Sequence, residues 1–128
     1  MIQLATKELS IETEGILREL QATINSKKSF AEKVAEAKAL WASKGNIPYK
    51  KAFEEIIATL KSMCVSVNIC NYCEQNEASD TEHIDPKAFF PERTFIWVNY
   101  LRACKQCNTG YKLDKCFVID ADNIYEVK

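Results

Sequence analysis

Glycine and proline are scarce in this chain, three of each in 128 residues, and histidine occurs only once. So few turn formers argue against a loop-rich scaffold held by disulfides, even though six cysteines are present. Long apolar runs are missing too: none approaches the roughly 20 residues that a membrane-spanning helix needs. Neither sign of charge is in excess, because 17 basic and 18 acidic residues leave a formal net charge of −1. Global attraction to nucleic acid is thereby excluded, and any such binding must rest on a local patch. The opening residues, MIQLATKELSIETEG, show no basic segment followed by an apolar stretch and a small-residue cleavage site. The expectation is an intracellular, cytoplasmic protein with no membrane partner. Its 47% hydrophobic and 27% charged residues are those of an ordinary globular chain of one-domain size.

What is present divides the chain into two textures. In residues 1–64, apolar side chains recur at helical spacing: Ile16, Leu17, Leu20 and Ile24; then Phe30, Val34, Ala37 and Trp41; then Phe53, Ile56, Ile57, Leu60 and Met63. Ser29 with Glu32 three residues later is a capping-box pattern, Gly45 is a plausible stop, and Asn46-Ile47-Pro48 suits a cap and first turn. From residue 65 to 128 the pattern shortens to β-type runs, VSVNI, FIWV and CFVI, with a polar loop EQNEASDT. An α+β protein is predicted, a helical N-terminal part followed by a small metal-braced unit, together forming one compact domain.

The metal expectation rests on two Cys-x-x-Cys pairs, Cys70/Cys73 and Cys104/Cys107. Zinc takes four tetrahedral ligands, and a Cys-x-x-Cys turn presents two thiolates from one tight knuckle without straining the backbone. The separation of the pairs exceeds the usual single-finger spacing of about 12 to 20 residues, so the segment between them must carry structure of its own. A four-thiolate shell leaves no open position, which makes this a structural zinc and sends any chemistry to other residues. Cys64 and Cys116 read as small buried hydrophobes. A local basic set, Lys87, Arg93, Arg102, Lys105, Lys112 and Lys115, lies between Glu82 and Cys116 and is the candidate nucleic-acid patch. The same set reads equally well as a solvated surface.

Between and after the knuckles run Glu82-His83-Ile84-Asp85-Pro86-Lys87, Phe95-Ile96-Trp97-Val98-Asn99-Tyr100-Leu101 and Cys107-Asn108-Thr109-Gly110-Tyr111-Lys112. In this order, with the knuckles, they resemble the zinc-containing branch of the HNH (His-Asn-His) endonucleases, and in particular the small HNH proteins of bacterial retron and Septu anti-phage systems. The likeness spans residues 69–112, about a third of the chain. It implies a zinc-braced ββα-metal, treble-clef-like unit and hydrolysis of DNA phosphodiesters with a divalent cation, Mg²⁺ or Mn²⁺. It also implies a partner such as the ATPase that accompanies relatives in defence systems.

Carried over residue by residue, the resemblance makes His83 the general base, Glu82 and Asn108 the ligands of the catalytic cation, and Asn99 the residue that fixes the loop between the strands. Lys112 stands where some relatives have a further histidine ligand; protonated lysine cannot ligate, so a phosphate contact is expected of it, as of Lys87, Arg102 and Lys105. Asp80 and Asp85 remain alternatives to Glu82 as ligand. The chemistry holds without the family: a hard carboxylate oxygen suits a divalent cation, and an imidazole of ordinary pKa near 6.5 can take a proton from water. Two other readings stay open, a non-catalytic zinc-knuckle module that binds nucleic acid or protein, and a toxin-like effector acting on RNA.

Overall fold

The computed structural model describes residues 4–64, 66–120 and 123–127. Three helices come first, α1 (Ile11–Asn25), α2 (Phe30–Ala42) and α3 (Lys50–Met63). Two antiparallel hairpins follow, β1 (Asp80–His83) with β2 (Tyr100–Ala103) and β3 (Phe117–Asp120) with β4 (Asn123–Glu126), and a π-helical segment, Gln106–Lys112, lies between them. The protein thus combines helices with small antiparallel sheets, an α+β arrangement. No helix among the described residues is long and apolar enough to cross a membrane.

The helices form where periodicity and caps coincide. Ser10 Oγ accepts from Thr13 N at 3.3 Å to start α1, and Ser29 Oγ accepts from Glu32 N at 3.1 Å to start α2. The Glu32 carboxylate returns one residue further than a capping box requires, accepting from the Lys28 amide at 3.2 Å. Helix α2 ends at Ala42, before Gly45, and α3 begins at Lys50, beyond the Asn46-Ile47-Pro48 cap that the sequence suggests. Phe30, first in the predicted α2 stripe, is exposed, while Ala37 is fully buried.

The β-type runs fare less evenly. Strand β3 overlaps CFVI, but FIWV does not extend: residues Trp97–Asn99 form a 3₁₀ turn, and the strand starts at Tyr100. The reason is packing. Phe95 is drawn into the helical core and Asn99 is consumed in holding the preceding loop, so neither residue adopts the alternating exposure of a strand. In VSVNI, Val65 lies outside the described residues, and Ile69 makes only an isolated bridge to Glu77.

One core joins the two textures. Leu17, Leu20 and Ile24 of α1 and Phe53, Ile56 and Leu60 of α3 pack in the same cluster as Phe95 and Tyr100 from the second half. A buried amide bolts them together: Gln21 Oε1 accepts from Phe95 N at 2.8 Å, and Gln21 Nε2 donates to Pro91 O at 3.1 Å. Both bonds satisfy backbone groups that water cannot reach.

Strand β1 therefore has both faces covered. His83 pairs across the hairpin with Tyr100, which belongs to the helical core, whereas Glu82 pairs with Leu101, which belongs to a second cluster with Cys70, Ala103 and Cys104. Successive side chains of a strand point to opposite faces, so these neighbours pack against different clusters, while both also border the space at the end of β1.

Candidate metal centre and adjoining cavity

The four knuckle cysteines come together as the spacing predicts. One ligand atom from each of Cys70, Cys73, Cys104 and Cys107 lies within 4.8 Å of all the others, making a cluster that can hold a metal ion such as zinc. Cys73 Sγ and Cys104 Sγ are 3.9 Å apart. A disulfide would put them at about 2.05 Å; two thiolates at about 2.3 Å from a tetrahedral centre would sit about 3.8 Å apart, which is the match. Knuckle amides point at sulfur, Tyr72 N to Cys70 and Cys107 N to Cys104, each at 3.4 Å.

Those donors stabilise thiolate. Burial pushes the Cys104 thiol up, but the Cys107 amide and the Asn76 side chain outweigh it and bring it down to about 6. Cys107 is instead pushed up to about 12 by burial and by its thiol neighbours. Cys64 and Cys116 lie outside the cluster, and both are half-buried free thiols.

Beside this centre is a cavity of about 200 Å³ whose lining includes Trp41, Glu82, His83, Lys87, Asn108 and Asp114. Glu82, His83 and Asn108 come from β1 and the π-helical segment, and the fold brings them to one space. His83 is only 5% exposed. Its Nε2–H donates to the Thr94 carbonyl at 3.0 Å; a carbonyl can only accept, so Nδ1 carries the lone pair of the neutral ring. The indole of Trp41 lies against it with centroids 4.2 Å apart, and the Tyr100 ring at 5.4 Å.

Burial, then the field of Lys87 and to a lesser degree of Lys112 and Lys44, drives the His83 pKa down to about 3. Between pH 6.5 and that value the unfolded chain binds a proton that the folded chain refuses. Stability contributed by the neutral ring is complete above pH 6.5 and declines as pH falls, by about 1.4 kcal/mol per unit. Glu82 acts in the opposite sense, since burial raises its carboxyl although Lys112 pulls it back. The His83 contribution is therefore read as a difference: denaturation midpoints at pH 7.5 and 5.5 should fall more for the parent than for His83→Asn. Equal slopes would mean the ring protonates freely in the fold.

The remaining predicted site residues are placed as follows. Asn99 is fully buried. Its Oδ1 accepts from Asp85 N at 2.8 Å, and its Nδ2 donates to Asp85 O at 3.0 Å and Arg93 O at 2.9 Å, so it holds both ends of the loop that follows β1. Asn108 Nδ2 donates to Asp80 Oδ2 at 3.1 Å, which leaves the amide oxygen free of that bond. Asp85 is turned to Arg93 in an ion pair and does not line the cavity.

The basic patch is dispersed. Arg102 is 5% exposed and spends its guanidinium on Ala78 O at 3.0 Å and Thr81 Oγ1 at 3.3 Å. Because β2 is covered on both faces, Arg102 is a strut of the hairpin and is not available to phosphate at the surface. Lys105 is exposed, Lys87 is in the cavity wall, and Lys112 is folded inward onto Glu82, Nζ to Oε1 2.7 Å.

Sequence reasoning misses three contributors: Trp41, which it reads only as part of an apolar helical stripe, Asp114, and the Thr94 carbonyl. Trp41 is remote in sequence from His83, and no local pattern marks it; its apolar spacing on α2 is the only signal. Compared with protein-family models, with curated proteins and with solved structures, the chain has no match in any of the three.

Proposed function

We propose that this protein is a metal-dependent endonuclease of the HNH type that hydrolyses nucleic-acid phosphodiester bonds, DNA foremost, and that its four cysteines hold a structural zinc. The observation that carries the reading is the meeting of Glu82, His83 and Asn108 in one cavity beside a four-thiol cluster. A binding module needs the cluster but not the triad.

The residues have separable tasks. His83 holds a neutral ring with Nε2 spent on Thr94 O, leaving Nδ1 to take a proton from water. Its low pKa makes it a weak base at rest. Burial is the larger cause, and a phosphodiester in the cavity would offset only the share that comes from the field of Lys87, Lys112 and Lys44. Trp41 excludes water from one side of the ring and keeps it in place. Glu82 and Asn108 would hold the cation through a carboxylate and an amide oxygen, hard donors that suit Mg²⁺ or Mn²⁺, and the cation would supply positive charge to the phosphate during cleavage. Asn99 fixes the loop behind His83. Action inside the cell, with a partner ATPase in anti-phage defence, belongs to the same proposal.

One observation favours the second reading, a non-catalytic module. Glu82 already has an ammonium partner in Lys112, which satisfies its carboxylate without a divalent ion. Plasmid cleavage separates the two. Zinc-loaded protein should nick or linearise supercoiled DNA with Mg²⁺ or Mn²⁺, leave 5′-phosphate ends and stop on addition of EDTA. Intact DNA and RNA with every divalent ion tried would hand the site to the binding module.

A further inference from the structure

Lys112 occupies an unusual place. Its ammonium is 2.7 Å from Glu82 Oε1 and its side chain is 17% exposed, against 4% for the carboxylate. The same Nζ donates to the His83 carbonyl at 3.0 Å, so the lysine is tied to both residues of the candidate catalytic pair. It gets there through the wide turn of the π-helical segment, where Leu113 N reaches back to Asn108 O at 2.7 Å. Lys112 and Asn108 are four residues apart on that segment, so both meet the β1 end from one side.

Glu82, Asp114 and Lys87 line the cavity, Lys112 sits on the Glu82 carboxylate, and Lys44 adds a third ammonium whose field reaches His83, so the carboxylates there are already matched by lysines. A divalent cation entering on Glu82 would compete with the Lys112 ammonium for the same carboxylate and add two positive charges beside it. Divalent ions of this class are commonly held by one or two carboxylates together with substrate phosphate oxygens. A phosphodiester contributes the missing negative charge and offers Lys112 another anion.

We propose that Lys112 keeps the divalent-cation site weak in the free protein and makes metal loading depend on a bound phosphodiester. The proposal rests on the nuclease reading of the cavity. Lys112 is here a regulator of metal affinity: it neither ligates the cation nor moves a proton. Reciprocity follows, since a phosphodiester that raises metal affinity must have its own affinity raised by the metal to the same degree.

The test measures Mn²⁺ affinity by electron paramagnetic resonance on zinc-loaded full-length protein, in a His83→Asn background so that DNA is not cut. A DNA oligonucleotide is absent in one arm and saturating in the other. With lysine at position 112, the oligonucleotide should tighten Mn²⁺ binding about tenfold or more. Lys112→Met, which keeps the length and removes the charge, should bind Mn²⁺ about tenfold tighter without DNA and gain little from it. Lys112→Arg keeps the charge and should stay weak without DNA. Adding Glu82→Gln to Lys112→Met should erase the gain, placing the ion on Glu82.

If Lys112→Met binds Mn²⁺ no better than its lysine parent, or if DNA leaves the parent's affinity unchanged, the proposal fails. A gain that persists with Glu82→Gln also overturns it. None of these results decides whether the wild-type chain cleaves DNA, so the nuclease reading stands or falls on the plasmid assay.

Discussion

His83→Ala should lower phosphodiester cleavage by about 10² to 10⁴-fold, the usual cost of losing a general base, while zinc content and Mn²⁺ binding stay close to those of the parent. The ring is packed against Trp41 and Tyr100, so the alanine variant also leaves a hole in the wall between the helices and β1. His83→Asn is the companion variant, because its amide fills more of the ring's space than alanine does and carries no titrating group. Both should be inactive, the second with the fold intact by near-ultraviolet circular dichroism. Because His83 is the only histidine of the chain, its ring resonances are assigned without ambiguity, and their response to DNA can be followed in the same samples. Cleavage by His83→Asn at the parental rate would remove the histidine from the chemistry and with it the nuclease reading.

Removing the metal proposed for the four cysteines should have the other large effect. The apolar cluster around the four thiols is small, Leu101 and Ala103 with two of the cysteines and half-buried Tyr72, too little to hold a lobe by hydrophobic burial alone. Metal binding at such a site is folding free energy, on the order of 10 to 16 kcal/mol in small zinc domains. Cys104→Ser, or a strong chelator, should therefore release amide protection across the knuckles and the β1–β2 hairpin. The helices still share Leu17, Leu20, Ile24, Phe53, Ile56 and Leu60 when Tyr100 is lost from their cluster, and should keep most of their helical signal. Elemental analysis should find one zinc per chain in the parent. An intact hydrogen-exchange pattern after complete removal of metal would show that the lobe supports itself.

These two effects reach one another through β1 and β2. The strands stand between the helical core and the thiol cluster, with His83 and Tyr100 toward one and Leu101 toward the other. Loss of the metal lobe would free Asn108 and Lys112 from the position they take beside Glu82. Loss of the helices would unroof His83 by taking away Trp41. The cavity depends on both layers, although the residues expected to do chemistry lie in the second half alone.

The sequence by itself was enough for the elements whose cause is local. Three helices follow from apolar periodicity, and the first turn of α2 from Ser29 and Glu32, because caps and stripes act within one or two turns. The four-thiol set is legible for the same reason, each knuckle being a four-residue unit with its own geometry. Everything that depends on which face meets which was decided by tertiary structure. Arg102 looks like a surface cation in sequence, yet strand pairing carries it inside, to the Ala78 carbonyl. FIWV has strand composition, yet the pull of Phe95 into the helical core and the bonds of Asn99 to the loop end it in a turn. Trp41 reaches His83, and Lys112 reaches Glu82, only because the helices and the π-helical segment close on β1 from different directions. A one-dimensional pattern records how often a side chain recurs, not what it is packed against, and in this protein the partners of His83 and Glu82 come from distant segments.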